Sequence, residues 1–447
     1  MGLVKQRTFL GGIHPPGKKH QTEKFATETP PLPPEVIIPL QQHIGAPSEP
    51  VVEKGSRVDV GDPLSKCEKF VSVPVHASIS GTVTSIEERL HPSGMNQLSV
   101  IIENDGKDHW RSDIQFDQDY LDLSIDDMRD RIRDAGIAGM GGATFPTHVK
   151  LSPPRDKEID TLIINGAECE PFLTSDHRLM LEEPKKILLG IQIMARILEV
   201  KKIIIAIEKN KPDAIRMMRK NCNEGNFSYR VPGLPVKYPQ GAEKQLIYAI
   251  TRRRVPAGGL PMDIGCVVHN VGTAVAVYEA VAYKRPLVER FVTVAGPGVQ
   301  QPKNLRLRIG TPYQYIFDYC GGLKESTAEI IMGGPMMGIA QSSLDVPVIK
   351  GTSGLLAFEK RNVLNKAENV CISCARCVDA CPMKLMPTTI ANYVKHGYFD
   401  KADEFNALDC MECGSCAYLC PSHINLVHYI RYGKSEIVKR KKKAKVA

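Results

Sequence analysis

Apolar residues along the chain follow two different periodicities. Between residues 36 and 104, short β-branched and aliphatic runs are separated by glycine, proline and aspartate, which predicts strands and tight turns of a small sandwich. From residue 124 onwards, runs with helical spacing alternate with short continuous apolar runs, which predicts a parallel α/β sheet. The predicted elements of this second region are a helix at 124–136, strands at Thr161–Asn165, Lys202–Ile207 and Tyr229–Lys237, and helices at Pro184–Val200 and Pro212–Cys222.

The remaining sequence changes style twice. Strands predicted at Arg290–Ala295, Asn304–Arg308 and Glu329–Met332 enclose one short helix at Pro312–Cys320, which is typical of a β-grasp fold. Cysteine motifs and short helices follow. We therefore expect a multidomain α/β and β protein with six segments: a proline-rich arm (1–35), a β-sandwich (36–105), an α/β domain (120–287), a β-grasp domain (288–355), a cysteine-rich domain (360–435) and a basic tail (436–447).

Composition narrows the class of protein. Of 447 residues, 43% are hydrophobic and 24% are charged, the balance of a globular protein. The net charge is +8, and six basic residues lie within the last nine positions: Lys439, Arg440, Lys441, Lys442, Lys443 and Lys445. A basic end of this kind is either a solvated disordered tail or a contact for an anionic membrane surface or an acidic partner. Since no groove of basic and aromatic residues accompanies it, we do not expect nucleic acid binding.

The N-terminal sequence has no apolar segment of a signal peptide, and no apolar run approaches the ~18 residues of a membrane span. We therefore expect a soluble or peripheral cytoplasmic protein. Eight of the 13 cysteines fall between Cys371 and Cys420, whereas disulfide-rich secreted domains spread their cysteines over the whole chain. This clustering favours metal binding in a reducing compartment.

Two copies of the run C-x2-C-x2-C-x3-C-P carry these cysteines. This spacing is that of bacterial ferredoxins, where three thiolates of one copy surround one cubane and the fourth ligates the other cluster. We therefore assign one [4Fe–4S] cluster to Cys371, Cys374, Cys377 and Cys420, and the second to Cys410, Cys413, Cys416 and Cys381. The alternatives are zinc ribbons and disulfides. They explain less well why a third close cysteine and a proline occur in both copies. Two such clusters indicate electron transfer.

A glycine-rich loop and an acidic strand end carry the second candidate chemistry. The loop Gly139–Ala143 follows a helix, so it fails the usual dinucleotide fingerprint, but its backbone could approach a phosphate or a flavin ring. The segment Asn165–Pro171 follows the first parallel strand, at the edge where α/β sheets bind ligands. Carboxylates there could bind ribose hydroxyls and would repel a 2′-phosphate, which favours NAD over NADP.

These motifs resemble the flavin- and NADH-binding segments of the complex I flavoprotein subunit. The matching stretches are Gly139–Lys150, Asn165–Pro171 and Asp176-His177-Arg178. The order of the whole chain, from the Gly-Gly-Ile-His-Pro-Pro arm to the two ferredoxin motifs, is similar to that of the RnfC family of the Rnf complex, an ion-translocating ferredoxin:NAD oxidoreductase. The sandwich resembles the barrel-sandwich hybrid of biotinyl and lipoyl domains; we favour a structural role for it over a carrier role for Lys69.

The resemblance implies FMN and NAD(H) in a Rossmann-like α/β module, a soluble-ligand-binding β-grasp module and a 2[4Fe–4S] ferredoxin-like module. Carried over by motif position, the residues that hold FMN would be Gly139, Gly141, Gly142, Lys150, Asn165 and Glu168, with Asn270 as a further flavin contact. Phe145 and Glu170 would lie near the nicotinamide, and Tyr238, Glu243 and Lys244 match a diverged nucleotide segment. Ala167 and Ala242 stand where the complex I type has acidic residues.

The function implied is hydride exchange between NAD(H) and FMN, followed by one-electron transfer through the two clusters. A flavin is required between them because a hydride carries two electrons and a cubane accepts one; no catalytic side chain is expected. The implied partners are membrane-embedded, flavin-carrying and ferredoxin-accepting iron–sulfur subunits, with peripheral attachment at the cytoplasmic face of the bacterial cell membrane. Two alternatives stay open: a soluble cobalamin-reductase or diaphorase-type flavoprotein, and a non-catalytic iron–sulfur electron wire.

Overall fold

The computed structural model describes residues 8–363 and 367–446. The start of the predicted arm (1–7), three positions of the predicted cysteine-rich domain (364–366) and residue 447 lie outside the described residues, as does the side chain of Lys445. The rest of the arm runs along the other domains and includes one 3-10 turn, Lys19–Gln21.

The sandwich is built on a long β-hairpin. Its sheet has the order β1-β6-β5-β3, with every neighbouring pair antiparallel, and a second small sheet pairs β2 with β4. Buried aliphatic residues such as Val36, Ile38, Val100 and Ile102 face inwards and form its core. The apolar run Phe70–Val75, which the sequence pattern predicts as one of the strands of the sandwich, is irregular instead. The strands are β1 Glu35–Pro39, β2 Glu49–Pro50, β3 Arg57–Val58, β4 Ser65–Lys66, β5 Gly81–Leu90 and β6 Asn96–Asn104.

The α/β domain contains a parallel four-stranded sheet of order β10-β7-β8-β9. Its strands are almost continuously apolar because helices cover both faces. The helix predicted after Ser124 is present, and the Ser124 hydroxyl accepts a hydrogen bond from the amide of Asp127 at 3.1 Å. The elements are α1 Ile125–Asp134, α2 Thr147–Lys150, β7 Thr161–Gly166, α3 Ser175–Glu182, α4 Pro184–Ile197, β8 Lys202–Glu208, α5 Pro212–Glu224, β9 Gly233–Leu234, α6 Glu243–Thr251, β10 Cys266–Asn270 and α7 Val271–Tyr283.

The β-grasp domain places one helix on a mixed five-stranded sheet of order β12-β11-β15-β13-β14. Pairing of β11 with β15 is parallel, and the other pairs are antiparallel. Buried Tyr313, Ile316 and Phe317 of the helix pack on this sheet. The elements are β11 Glu289–Ala295, β12 Lys303–Arg308, α8 Tyr313–Tyr319, β13 Thr327–Met332, β14 Ile339–Gln341 and β15 Gly354–Glu359.

The cysteine-rich domain is helical, with a core of buried apolar residues between its longer helices. Its helices are α9 Arg376–Ala380, α10 Pro387–Lys395, α11 Phe399–Glu404, α12 Ser415–Tyr418 and α13 Leu426–Val446. The predicted separate tail is therefore not seen, because its residues up to Val446 continue α13. Lys441 at this end pairs with Asp403 at 2.6 Å. No helix within the described ranges is long and apolar enough to cross a membrane.

Candidate functional site

The carboxyl ends of β7 and β10 meet at one edge of the parallel sheet. Asn165 and Asn270 are direct register partners there. The Asn165 amide nitrogen donates to the Gly241 carbonyl at 2.8 Å. The Asn270 side-chain oxygen accepts from the amide of Gly272 at 2.7 Å and so caps α7, while its nitrogen donates to Asp176 at 2.7 Å. Both asparagines are thereby fixed at the sheet edge where ligands bind in α/β folds.

The glycine loop, residues 139–143, lies over this edge. The Met140 amide donates to the Thr273 hydroxyl in the first turn of α7 at 3.0 Å, and the Gly139 amide donates to the Phe145 carbonyl at 2.8 Å. Gly141 and Gly142 are exposed, and Gly142 has a left-handed φ of +112°. The backbone at Gly142 is open, with no atom within 4 Å of where a Cβ would stand. The loop thus offers a bare backbone surface that a flat ring or a phosphate could approach.

Lys150 is held beside the same edge. Its ammonium group donates to the Glu243 carboxylate at 2.7 Å and to the Val268 carbonyl at 2.6 Å. Burial, followed by the charge of Lys150, lowers the pKa of His269 well below its usual value, and its Nε2 has no hydrogen-bond partner among the described residues. Lys244 is directed elsewhere and donates to the Pro256 carbonyl at 3.3 Å. A cation next to an unpartnered ring nitrogen suits a polar, anionic ligand.

The acidic loop, residues 167–173, borders the site from β7. Glu168 has a left-handed φ of +46°, and its carboxylate accepts from the amides of Asp176 at 2.7 Å and His177 at 3.3 Å. It therefore caps α3, where a negative charge is favourable. Burial, and then the charge of Glu168, raises the pKa of Asp176 to about 7. We name the two strand ends, the glycine loop and the acidic loop together the sheet-edge site.

Glu170 lies at the back of this site, towards the β-grasp domain. Its carboxylate accepts from the Tyr238 hydroxyl at 3.2 Å and from the Met336 amide at 3.0 Å. Burial raises the pKa of Glu170 and also that of Tyr238. The sequence resemblance places Glu170 near the nicotinamide, whereas in the structure its side chain joins two domains.

The two cysteine motifs fold alike. In each, the amide two residues after the first cysteine donates to that cysteine's sulfur at 3.4 Å, from Ser373 to Cys371 and from Glu412 to Cys410. Left-handed backbone recurs at the second and fourth positions after that cysteine, with φ of 55° at Ser373, 56° at Ala375, 59° at Glu412 and 78° at Gly414. Such loops turn backbone amides towards the sulfurs, which suits thiolate ligands of a cluster.

The structure places Cys381 of the first motif with cysteines of the second. Burial, with smaller contributions from the charges on Cys413 and Cys381, raises the pKa of Cys410 to about 11. Burial, and then the charges on Cys410, Cys413 and Cys381, also raise the pKa of Cys416. We name Cys381, Cys410, Cys413 and Cys416 the proximal thiols. No three His, Cys, Asp or Glu side chains in the described ranges converge on a point that fits a single metal ion.

The proximal thiols lie against the α/β domain. Cys413 belongs to a buried contact group with Tyr238, Ala380 and Ile13 of the arm, and Cys169 of the acidic loop packs against it. The arm joins the two sides, since the Gly12 amide donates to the Ala380 carbonyl and the Ile13 amide to the Tyr238 carbonyl, both at 2.8 Å.

The other four cysteines of the two motifs form the second set, the distal thiols: Cys371, Cys374, Cys377 and Cys420. Cys371 and Cys374 are exposed, and between them Ile372 has 68% of its surface exposed. Cys377 is buried, with its sulfur 2.8 Å from the Thr388 hydroxyl. One member of the proximal thiols, Cys413, therefore lies beside the sheet-edge site, and two of the distal thiols, Cys371 and Cys374, lie at the surface.

A cavity of about 950 Å³ lies away from these groups, between the sandwich and α1. Exposed Lys69 and Phe70 border it, together with Arg129 and Arg133. Both arginines are ion-paired along α1, to Asp126 and Asp130. The glycine loop does not line this cavity, so its size alone does not identify the functional site.

Two residues of this region escaped sequence reasoning. Lys19 of the arm donates into the acidic loop, and Met336 of the β-grasp domain holds Glu170. Both contacts join segments far apart in the chain, and neither residue belongs to a local motif. The signal available near them was two turn-forming stretches rich in glycine and proline: the arm around Pro15 and Pro16, and Gly333-Gly334-Pro335.

Four family models match successive parts of the chain. The RnfC barrel sandwich hybrid domain matches residues 7–107, the Nuo51 FMN-binding domain 132–279, the SLBB domain 291–340 and the 4Fe-4S dicluster domain 364–421. The multidomain fold class predicted from the sequence is therefore confirmed. FMN and two [4Fe–4S] clusters are confirmed as the cofactors of these domains.

Curated relatives align over nearly the whole chain. The C subunit of the proton-translocating ferredoxin:NAD(+) oxidoreductase complex of Clostridium ljungdahlii is 48% identical over 96% of this chain and 94% of its own. The C subunit of the Na(+)-translocating complex of Acetobacterium woodii is 46% identical over 98% of this chain and 99% of its own. The C subunit of the ion-translocating oxidoreductase complex of Rhodobacter capsulatus is 40% identical over 97% and 84%.

Among solved structures, an NAD+-reducing [NiFe]-hydrogenase crystallised in the H2-reduced state has a similar fold, with a TM-score of 0.50 and 19% identity. The match covers 70% of this chain and 62% of the hydrogenase chain. At this identity the likeness concerns the fold alone.

Proposed function

Because the chain belongs to the RnfC family, the C subunits of the ion-translocating ferredoxin:NAD(+) oxidoreductase (Rnf) complexes, we propose that it is the subunit that links NAD(H) to the iron–sulfur clusters of such a complex. One observation carries the proposal: Cys413 of the proximal thiols shares a buried contact group with Tyr238 and Cys169, directly behind the sheet-edge site. A flavin site and a cluster site that share a buried wall are suited to electron transfer between them.

The residues at the sheet-edge site divide by task. The open backbone of Gly139, Gly141 and Gly142 would hold FMN, and Lys150 would offer its phosphate a cation. Asn165 and Asn270 would present side-chain amides from the two strand ends. FMN, when bound, accepts two electrons with a hydride and returns them singly. Glu168 would act from α3 by fixing the acidic loop, and Phe145 would help to exclude water.

The two sets of thiols would act in order. The proximal thiols would ligate the cluster that is next to the flavin, because Cys413 lies in the contact group of Tyr238. The distal thiols would ligate the cluster from which electrons leave, because Cys371 and Cys374 are exposed. Glu170, bonded to Tyr238, would keep the wall between flavin and proximal cluster rigid rather than contact the substrate.

We further propose that the protein docks at the cytoplasmic face of the bacterial cell membrane, on the membrane-embedded, flavin-carrying and ferredoxin-accepting subunits. The basic end of α13 supports this contact. Lys441 and Arg440 pair with Asp403 and Asp400 at 2.6 and 3.6 Å, whereas Lys442 and Lys443 are exposed and enter none of the ion pairs of the described residues. Charge reversal of the latter two should release the chain from membranes at low salt; unchanged co-fractionation would make this end passive.

The function is tested on the anaerobically purified full chain. We expect one flavin, two clusters and bleaching of the flavin by NADH, followed by reduction of the clusters. Glu168→Gln should slow NADH reduction while the iron content stays unchanged, because it weakens the cap that orders the acidic loop. A chain with full iron but no flavin spectrum and no response to NADH would refute the proposal and leave the electron-wire function.

A further inference from the structure

Lys19 of the arm enters the acidic loop from behind. Its ammonium group donates to the backbone carbonyls of Glu168 at 3.0 Å, of Glu170 at 2.9 Å and of Leu173. Only 8% of the residue is exposed. The three acceptors are spaced along the loop, so one side chain fixes the path of the backbone that carries both glutamates.

The charge of Lys19 is not neutralised by an ion pair. Its hydrogen-bond partners within the described residues are carbonyl oxygens, and it takes part in none of the salt bridges found there. A second buried ammonium, Lys211, donates to the Ala167 carbonyl at 2.6 Å and lies 3.4 Å from the carboxylate of Glu208. Two buried cations thus stand beneath one short loop, and the Glu208 carboxylate is salt-bridged to Lys211 but not to Lys19.

The rest of the arm supports this placement. The Phe172 amide donates to the Gly17 carbonyl at 2.8 Å, and the Thr22 and Thr174 hydroxyls are 2.6 Å apart. The turn that carries Lys19 is therefore fastened to the loop on both sides of the lysine. An isolated buried charge is costly, so its retention needs a compensating gain.

We propose that Lys19 is a positioning residue of the sheet-edge site: it fixes the acidic loop and supplies a buried positive charge that favours the reduced, more negative form of a flavin held there. The proposal rests on the proposed function. It assigns to the arm an electrostatic role that the local motifs of the α/β domain do not supply. A merely structural lysine would contribute to stability and leave the flavin potential unchanged.

The test compares Lys19→Met with Lys18→Met in the full, cluster-loaded chain. Lys18 is the adjacent residue of the same turn and is exposed, so it controls for the loss of one positive charge from the arm. The readout is the flavin midpoint potential, measured by spectroelectrochemical titration without NADH. We expect a lower potential in Lys19→Met than in the wild type and in Lys18→Met. Lys19→Arg, which keeps the charge, should lie closer to the wild type.

Equal potentials in the wild type and Lys19→Met, with only the thermal midpoint lowered, would overturn the proposal. A wild type without flavin would instead refute the proposed function, so the two failures are distinct. If Lys19→Met does not retain FMN, the wild-type potential is followed against pH. Burial and the neighbouring Lys211 lower the pKa of Lys19 to about 8, so the potential should fall more steeply above that pH.

The groups around Lys19 do not obscure this change. The side chains of Glu168 and Glu208 also face Lys19, burial raises the pKa of Glu208, and burial raises the pKa of the Cys169 thiol to about 12. Asp176, whose pKa is about 7, should give a separate change in the slope of potential against pH near pH 7, and Asp176→Asn removes that change. A potential whose slope does not change near pH 8 in Asp176→Asn would count against Lys19.

Discussion

The contact between the arm and Tyr238, behind the sheet-edge site, can be broken by one added methyl group. Gly12 has a φ of +79°, and a Cβ built there would stand 2.6 Å from the Tyr238 carbonyl oxygen. A left-handed backbone costs a non-glycine residue about 1–2 kcal/mol, and forcing an atom into a packed contact costs about 1–3 kcal/mol. Gly12→Ala should therefore destabilise the docked arm by about 2–5 kcal/mol.

This strain is as large as the stabilisation by the backbone hydrogen bonds that hold the arm at this point. The docked segment buries Phe9 and Ile13 and accepts from Lys237 at the Phe9 carbonyl. Three backbone hydrogen bonds hold it at Gly12 and Ile13: Gly12 to Ala380 at 2.8 Å, Ile13 to Tyr238 at 2.8 Å and Tyr238 to Ile13 at 2.9 Å. At about 1 kcal/mol net each, they contribute about 3 kcal/mol. We therefore expect the arm to detach locally at Gly12, while the domains keep their own cores and stay folded.

Hydrogen exchange and rapid kinetics measure the effect. The amides of Ile13 and Tyr238 should exchange at least about tenfold faster in Gly12→Ala, since 1.4 kcal/mol changes an opening equilibrium tenfold. NADH should still reduce the flavin, whereas reduction of the clusters should slow. Gly17→Ala is the matched control, because Gly17 lies in the same arm and a Cβ there meets nothing within 4 Å. Unchanged exchange in Gly12→Ala, or an equal change in Gly17→Ala, would refute this reasoning.

Three further changes have definite expected outcomes. Cys381→Ala should lower the iron content from about eight to about four atoms per chain and abolish the signal of the cluster held by the second motif. The control is Cys222→Ala, which replaces a buried cysteine of α5 and should leave the iron content unchanged. Lys150→Met should weaken FMN binding about 10–100-fold in a fluorescence titration, since a hydrogen bond to a charged group contributes about 1.5–3 kcal/mol. The control is Lys157→Met, which removes a partly exposed lysine paired with Asp263 and should leave FMN binding unchanged. Burial lowers the pKa of Lys350 to about 7. The unfolded chain then binds the proton more tightly above pH 7, so the unfolding free energy of wild type minus that of Lys350→Met should rise by about 1.4 kcal/mol per pH unit between pH 7 and about 10. A flat difference in chemical denaturation would show that folded Lys350 keeps its proton over this range and that its pKa is not lowered.

Local patterns were enough to predict two of the elements that carry the sheet-edge site, β7 and α1, whereas strand β10 and helix α3 were not predicted. The apolar run before Asn165 predicts β7, because a strand buried on both faces is apolar throughout. Ser124 followed by residues with helical spacing predicts α1, because serine is a preferred N-terminal cap of helices. The strand predicted at Tyr229–Lys237 shrinks to Gly233–Leu234, since it lies at the edge of the sheet and pairs with only one neighbour. Helix α7 escaped prediction because it is apolar on all sides and shows no periodicity.

The contacts that join the domains could not be predicted in this way. Lys19, Met336 and Ala380 meet partners far along the chain, and no spacing within one segment encodes such a contact. Glu170 illustrates the limit: its motif position predicts a place near the nicotinamide, which stays a prediction, while its hydrogen bonds to Tyr238 and Met336 of two other segments could not be read from the motif. The side chains of local motifs are predictable, but the order in which the domains surround them is not.

The docked arm also constrains the order in which the protein matures. Residues 8–35 are synthesised before the domains that they contact, and Gly12 bonds to Ala380, which follows the sandwich, α/β and β-grasp domains. Domains emerging from the ribosome fold from the N-terminus onwards, so the arm can dock on the α/β domain early, whereas its contact with Ala380 must wait until the cysteine-rich domain has formed. Closing this contact is therefore a late step of biogenesis, and a nascent chain whose cysteine loops are still unbuilt lacks the contact between Tyr238 and Cys413.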